Sequence, residues 1–323
     1  MRKSYVYWAM FSVFGIITAL FIWSFVVNKE ISVNPVNLVD NNAPPTFNRM
    51  IYGGFDKDAL SKPMDVAVIN QFTYVTDTKN FRVQVFDSAG IPLFKFGSQG
   101  SKPGQFQFPY GITGDSKGNV YVSDLYNGCI SVHDSRGKFL RYFAEKNPAE
   151  QVLVAPGSIR IVGDKLYVTD IQLNKATVFD LQGKKLLEIG KYGEKPGEFT
   201  APNAIIADKD GNIFVVDTGN QRVQEFDSKG KFIRIINGTQ SAAGNSVFVN
   251  PRGIGIDSRG IIYVVSNLTN YIYGFDSTGK QVFIFGGAGE ENNKFSLPNG
   301  LFVDNDDQVY ITDTTNQRVA VYQ

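Results

Sequence analysis

Aspartate recurs in this sequence at nearly constant intervals, a spacing that would bring several carboxylates together if the repeated units surrounded one centre. Converging carboxylates bind divalent cations or act as general acids and bases. A structural role accounts better for the repetition. An aspartate at a strand end accepts N–H bonds from the next turn and pairs with an arginine five residues later. We therefore interpret this column as scaffold. Its positions are Asp77, Asp124, Asp170, Asp217, Ser266 and Asp313.

Two further residue types that support catalysis occur only once each, as His133 and Cys129. His133 aligns with Phe or Tyr in the other repeats, which predicts that its ring packs between sheets. Cys129 has no histidine or second thiol in its motif to activate it as a nucleophile. The sequence therefore predicts no catalytic residue, and it favours a protein that is not an enzyme.

Three columns of residues define a repeat of about 47 residues, counted from the aspartate positions. The second column is an aspartate ten residues after the first, followed within three residues by glycine. The third is a proline that opens an apolar strand, at Pro63, Pro109, Pro156, Pro202, Pro251 and Pro298. Each copy holds four short alternating segments. A repeat of this length with four strands indicates a blade of a β-propeller.

The two ends of the repeat array complement each other. Residues Arg49–Gly53 match the fourth strand of later repeats, such as Phe94–Gly97, whereas Asn299–Tyr322 supplies only the first three strands of the last copy. Pairing the two ends closes the ring and removes both exposed sheet edges. The sequence thus predicts an all-β, six-bladed propeller of four-stranded antiparallel blades over residues 48–323. Its last blade is closed by the N-terminal strand, with Ile51 beside Val321.

The repeat has the pattern Pro-x-x-apolar, then apolar-x-Val-x-Asp-x-x-Asn-x-Arg-Val-x-x-Phe-Asp. Residues Pro202–Asp227 and Pro298–Tyr322 match it best. The pattern resembles the NHL-repeat family of six-bladed propellers, and the resemblance extends from Arg49 to the end of the chain. It implies the fold. The family includes lyases, RNA-binding modules and extracellular sensor domains, so the resemblance leaves the function open.

The residues just after each proline differ from blade to blade and are mostly polar. They are predicted to surround one mouth of the central channel, on the face that carries the long connections between blades, here called the long-loop face. The tight turns, such as Asp115–Asn119, belong to the opposite face. Arg252 is suited to an anionic group on a small polar ligand. The alternative is a water-filled channel without ligand. The predicted ligand-binding residues are Asp65, Tyr110, Asn203, Arg252 and Asn299.

The N-terminal segment predicts a membrane anchor. Residues 5–27 are apolar throughout and would rise about 34 Å as a helix, enough to cross a hydrocarbon core of about 30 Å. Arg2 and Lys3 on its N-terminal flank predict a cytoplasmic N-terminus. The expected organisation is a cytoplasmic tip and uncleaved signal anchor (1–28), a linker (29–47) and an extracytoplasmic propeller at the cell membrane.

The leading functional hypothesis is a binding, scaffold or sensor module for a protein or a small polar ligand on the long-loop face. A second is a lyase or lactonase-like hydrolase, in which Asp65, Asn203 and Asn299 hold an axial calcium or magnesium ion. No other cofactor is expected. A third is an RNA-binding module. Nucleic acid is disfavoured because, without Arg2 and Lys3, 30 basic residues stand against 31 acidic ones.

Overall fold

The computed structural model describes residues 43–144, 152–239 and 242–323. They form six sheets, each of four antiparallel strands, and the predicted all-β propeller is confirmed. Blades 1 to 5 are contiguous in sequence and blade 6 is shared between the two ends. The element bounds follow, blade by blade.

Blade 1 contains β2 (Pro63–Ile69), β3 (Phe72–Asp77), β4 (Arg82–Phe86) and β5 (Pro92–Phe96); blade 2 contains β6 (Pro109–Gly114), β7 (Val120–Asp124), β8 (Cys129–His133) and β9 (Phe139–Tyr142). Blade 3 contains β10 (Pro156–Val162), β11 (Lys165–Asp170), β12 (Lys175–Asp180) and β13 (Lys185–Ile189); blade 4 contains β14 (Pro202–Ala207), β15 (Ile213–Asp217), β16 (Arg222–Phe226) and β17 (Phe232–Ile236). Blade 5 contains β18 (Pro251–Ile256), β19 (Ile262–Ser266), β20 (Tyr271–Phe275) and β21 (Gln281–Gly286); blade 6 contains β22 (Pro298–Val303), β23 (Val309–Asp313), β24 (Arg318–Tyr322) and β1 (Phe47–Tyr52). Two short 3-10 helices span Asp56–Asp58 and Thr78–Asn80.

The strand that follows each proline lies nearest the axis, as predicted. Each of these six strands contacts the equivalent strand of both neighbouring blades, and the contact between β2 and β22 completes the ring. Because these strands surround the axis, their side chains decide whether the channel is open or filled.

Strand β1 closes the ring by pairing antiparallel with β24. The backbone N–H groups of Thr46 and Gln323 each donate to the carbonyl of the other residue, at 2.7 and 2.8 Å. The predicted position of Ile51 beside Val321 is wrong. Ile51 pairs with Val319, and Val321 pairs with Arg49.

The blades adhere through a buried apolar residue that stands three positions before each proline. In one cluster, Phe106 packs with Val83 of blade 1 and with Ile112 and Val122 of blade 2. Burying a phenylalanine of this kind contributes about 1.5–3 kcal/mol. The predicted role in packing between blades is therefore confirmed for the whole set, which is Leu60, Phe106, Leu153, Phe199, Phe248 and Phe295.

The aspartate column is scaffold, as predicted. In blade 1 the carboxylate of Asp77 accepts from Arg82 Nε at 2.7 Å and from the backbone N–H of Ser61 at 2.6 Å. Each such aspartate thus ties its hairpin to the connection that precedes the blade. In blade 2, where the arginine is replaced by Cys129, Asp124 instead accepts from four backbone N–H groups, those of Gln107, Phe108, Tyr126 and Asn127.

His133 is fully buried among aromatic rings, as predicted. Its ring centroid lies 4.9 Å from that of Phe96 and 5.7 Å from that of Phe106. The carbonyl of Gly137 lies 3.2 Å from Nδ1, which donates to it, so Nε2 is left to accept from the hydroxyl of Ser131 at 3.0 Å. Burial lowers the pKa of His133 below its usual 6.5. The ring is therefore held in its neutral form.

Replacing His133 by Phe, the residue found in most other blades, is expected to make folding less sensitive to acid. In the wild type the unfolded chain takes up a proton near pH 6.5 and the folded chain does so only at lower pH. Stability is thus full above pH 6.5 and falls below it, by at most about 1.4 kcal/mol per pH unit. Urea unfolding at pH 7.5 and 5.5 would measure this difference. An equal decline in both proteins would contradict it.

The predicted anchor, residues 5–27, lies outside the described residues, as do the tip and most of the linker. In the part of the chain that the structure describes, no helix has the length and apolar character needed to cross a bilayer.

Candidate functional site at the propeller axis

Three of the predicted ligand-binding residues meet over the axis at the long-loop face. They stand directly after the prolines of blades 2, 4 and 5, as Tyr110, Asn203 and Arg252. Arg252 Nη1 donates to Asn203 Oδ1 at 2.7 Å and lies 3.5 Å from the Tyr110 hydroxyl. The Tyr110 hydroxyl also donates to Asn203 Oδ1. These contacts form an upper layer of side chains across the channel mouth.

Below it, Asp65 of blade 1 and Arg160 of blade 3 form a buried ion pair across the axis. The contact is bidentate, with Nη1 2.7 Å from Oδ2 and Nη2 2.8 Å from Oδ1. The side chains are each about 5% exposed. Bidentate charge-assisted bonds of this kind are among the stronger polar contacts in proteins.

Backbone groups complete this lower layer. Arg160 donates to the carbonyls of Ile112 in blade 2 and Leu301 in blade 6, both at 3.0 Å. The backbone N–H of Ile112 donates to Asp65 at 3.0 Å. The two layers therefore draw on all six blades. They leave a cavity of about 10 Å³ at the mouth, which is room for one water molecule.

At the upper layer of the mouth, the structure brings together three of the five predicted ligand-binding residues. Tyr110, Asn203 and Arg252 come together, but they bond to one another. Asp65 belongs to the lower layer with Arg160. Asn299 lines the cavity and, among the described contacts, its side chain joins neither layer. Side chains cross the channel at this mouth.

Arg160 was missed by the sequence analysis, although the sequence contains a signal for it. It stands four residues after its proline, on the strand nearest the axis. The equivalent positions in the other blades are small or apolar, apart from one threonine: Ala67, Thr113, Ile206, Gly255 and Phe302. Arg160 is the one cation at its position, and Asp65 is the one aspartate at a position where the other blades have Gly, Ala or Ser. Because buried charges are paired, these two residues are natural partners.

The mouth carries a net positive charge. Among the side chains that line the small cavity, Arg160 and Arg252 are cationic and Asp65 is anionic, so two positive charges meet one negative charge. Burial raises the pKa of Tyr110, although the nearby Arg252 opposes this, and its hydroxyl stays neutral and able to donate. Arg252 Nε is buried without a hydrogen-bond partner.

Outward from the mouth, blade 2 carries a row of aromatic rings, here called the blade-2 strip: Tyr110, Phe108 and Tyr126. Tyr110 and Phe108 are stacked with centroids 6.2 Å apart, and Phe108 and Tyr126 lie 4.8 Å apart. Exposure increases outward, from 6% at Tyr110 to 70% at Tyr126. No other blade has an aromatic residue at any of these three positions.

The hairpin turns and the tight turns of the propeller differ in charge. The hairpin turns between the second and third strands lie on the long-loop face, at 78–81, 125–128, 171–174, 218–221, 267–270 and 314–317, and their one charged residue is Lys79. The tight turns on the opposite face are rich in Asp, Lys and Arg, as in Asp208–Asn212. The long-loop face also exposes Phe55, Tyr126 and Tyr192. Protein interfaces share this depletion of charge and enrichment in aromatic residues.

A wider cavity of about 700 Å³ lies beside the tight turns of blades 2 and 3. Asp115, Tyr121 and Arg141 line it, and burial beside Asp115 raises the pKa of Tyr121 to about 12. It borders Ala144 and Val152, which stand on either side of residues 145–151, a segment that is not among the described residues. It contains none of the predicted ligand-binding residues.

Among residues 43–144, 152–239 and 242–323, no three His, Cys, Asp or Glu side chains are grouped so that they could hold a metal ion. In the lower layer both carboxylate oxygens of Asp65 accept from Arg160. In the upper layer Asn203 Oδ1 accepts from Tyr110 and Arg252. Two of the three oxygen donors considered for an axial cation thus already accept hydrogen bonds.

Comparison with known proteins agrees with this architecture. Residues 148–253 match a family model described as a 6-bladed beta-propeller, and residues 295–322 match the NHL repeat. The chain is therefore a six-bladed β-propeller that carries NHL repeat sequence.

Among curated proteins, Protein brain tumor of Drosophila melanogaster is 27% identical over 142 residues, 43% of this chain and 13% of that protein. Peptidyl-glycine alpha-amidating monooxygenase of Mus musculus is 26% identical over 190 residues, 55% of this chain and 19% of that protein. The matches thus span less than a fifth of either relative. A solved streptogramin B lyase has a TM-score of 0.56 at 16% identity, covering 81% of this chain and 79% of that one, which shows a shared fold alone.

Proposed function

We propose that this protein is a binding module that holds a protein partner on the long-loop face of its propeller. The observation that carries the proposal is the contrast between the hairpin turns of the long-loop face and the tight turns of the opposite face. The hairpin turns on the long-loop face are nearly uncharged and include the exposed Tyr126, whereas the tight turns on the opposite face are charged. In these turns Asn and Gly supply adaptable hydrogen bonding and Tyr126 supplies rigid contact area, as the same residue types do in antibody binding surfaces.

The filled axis favours a partner on the surface over a small ligand in the channel. A cavity of about 10 Å³ is far below the roughly 300 Å³ at the lower end of small-molecule sites. The lyase or hydrolase alternative needs Asp65 as a metal ligand, yet Arg160 binds both oxygens of that carboxylate. RNA binding would draw on a basic surface, whereas the hairpin turns supply only Lys79 and the long connections on the same face mix lysines with acids, as in Asp56–Asp58 and Glu290–Lys294.

Membrane anchoring through residues 5–27, with the propeller outside the cytoplasm, belongs to the same proposal and rests on the sequence of that segment. Proteinase K added to intact cells that produce the protein with a C-terminal epitope tag tests it. Loss of the tag is the expected result. A tag that is protected until the cells are lysed would overturn the predicted topology.

The partner surface can be tested with a photo-crosslinking amino acid at one position on each face of the same blade. Thr315 is exposed in the hairpin turn of blade 6, and Asp306 is exposed in its tight turn. We expect discrete adducts from position 315, and none from position 306, when the full chain is irradiated in its native membrane.

Competition with excess unlabelled protein should suppress the adducts, because they come from one saturable site. Equal adducts from both positions, or adducts from position 306 alone, would contradict the proposed surface. The absence of adducts from both positions, together with turnover in a metabolite screen, would favour the enzyme alternative.

A further inference from the structure

The upper layer leaves one edge of the Arg252 guanidinium unused. Nη1 donates to Asn203 and Tyr110, whereas Nε is buried without a partner. The Arg252 side chain is part of the lining of the mouth cavity. The Nε–Nη2 edge of an arginine is one of its two bidentate edges for a carboxylate. A cavity with room for one water molecule also has room for one oxygen atom of a bound group.

The charge of the cavity lining favours an anion as the bound group. The cavity lining has one positive charge in excess, because Arg160 and Asp65 neutralise each other and Arg252 remains. A singly charged anion balances it. A carboxylate can place one oxygen in the cavity and keep its second oxygen at the rim.

The blade-2 strip begins at this same place. Tyr110 contacts Arg252 and Asn203 with its hydroxyl, and its ring stacks on Phe108, which leads to the exposed Tyr126. A ring or apolar side chain next to the bound carboxylate would lie over Phe108 and Tyr126. Offset or edge contacts between aromatic rings add about 0.5–1.5 kcal/mol beyond burial.

We propose that the mouth binds a carboxylate that stands beside an aromatic side chain of the partner polypeptide. Arg252 holds the carboxylate and the blade-2 strip holds the ring. This inference rests on the proposed binding function and specifies its chemistry. Two sources present such a carboxylate: a free C-terminus that ends in an aromatic residue, and an internal aspartate next to one.

Three peptides separate these sources when titrated by calorimetry into the full-length protein in detergent. They are acetyl-Gly-Gly-Phe with a free carboxylate, the same peptide as its amide, and the amide of acetyl-Gly-Asp-Phe. We expect the free acid to bind at least about tenfold more tightly than its amide, because a charge-assisted contact is lost. Binding of the aspartate peptide alone would assign the internal source.

Arg252→Gln is expected to weaken the binding peptide by about tenfold or more, and Tyr126→Ala by about three- to tenfold. Tyr192→Ala is the matched control, because Tyr192 is 73% exposed on the same face but lies outside the strip. It should leave affinity unchanged. If the Gln variant does not fold, the comparison of the three peptides on the unchanged protein still decides.

Measurable binding of both acid and amide with equal affinity, absence of binding by all three peptides, or an unchanged affinity in a folded Arg252→Gln protein would overturn the inference. Crosslinking from position 315 separates this failure from that of the binding function. Adducts that persist in Arg252→Gln, with no peptide binding, would leave the long-loop surface in place and remove the carboxylate site.

Discussion

Replacing Arg160 by Met is expected to lower the free energy of unfolding by about 3–5 kcal/mol. The change leaves the carboxylate of Asp65 buried without its cation and removes the donors to the carbonyls of Ile112 and Leu301. A buried charge that loses its partner carries the full cost of its desolvation. Urea unfolding at neutral pH, followed by circular dichroism, would measure the loss.

Lys175→Met is the matched control. It also removes one cation from an ion pair, but Lys175 and Glu188 are about a third exposed, so we expect a cost below about 1 kcal/mol. The double variant Asp65→Leu with Arg160→Met should be less destabilised than Arg160→Met alone, because no unpaired charge remains. A cost for Arg160→Met no larger than that of Lys175→Met would refute a buried axial pair.

Removing β1 is expected to have a still larger effect. A chain that starts at residue 53 loses the buried Ile51 and all pairing to β24. The unpaired edge of β24 then becomes a template for association with other chains. We expect this chain to aggregate or to melt without cooperativity. The control starts at residue 43 and keeps β1, so it should stay monomeric in size-exclusion chromatography and unfold in one transition.

A circular permutant tests whether closure of the ring by β1 is what keeps the propeller monomeric and its unfolding cooperative. The pairing of Tyr322 with Phe47 reproduces that of Phe226 with Phe232 in blade 4, where the turn Asp227–Lys231 joins the two strands. Residues 43–52 appended after Gln323 through a turn of that kind should restore a cooperative monomer to the chain that starts at residue 53. If the permutant aggregates like the truncated chain, or the truncated chain itself melts cooperatively, this role of β1 is wrong.

Most of the fold could be predicted from the sequence, because six copies of one pattern report the same strands. The exception was the register of β1. From the repeat pattern, Gly53 was aligned with Gly97. In the structure, Ile51 pairs with Val319 as Phe96 pairs with Val83 in blade 1, so Ile51 is equivalent to Phe96. The match was thus one residue off, which assigns every side chain to the other face of the strand. The predicted pairing of Ile51 with Val321 was two residues away from the observed pairing with Val319.

Tyr52 therefore takes the place of Gly97 and is exposed. A single copy of the strand, followed by two glycines, gives too little pattern to fix the register. Only the pairing with β24 does so.

The site could be predicted only in part. Variation after the prolines pointed to Tyr110, Asn203 and Arg252, which do converge. The bonds among them depend on distances across the ring, between blades 2, 4 and 5, and the repeat pattern contains no such information. For the same reason the partner of Asp65 could not be assigned, although Arg160 is visible in the sequence as an unusual cation on an inner strand.

The central claim is that the protein's own side chains fill the axis, which leaves the long-loop face, and not the channel, as the surface proposed to bind a partner. A crystal structure that resolves waters and cations at the axis tests it most directly. We expect the guanidinium of Arg160 between Asp65 and the carbonyl of Leu301, with at most one water beneath Arg252. A divalent cation bound to Asp65, with Arg160 displaced from the axis, would contradict the account.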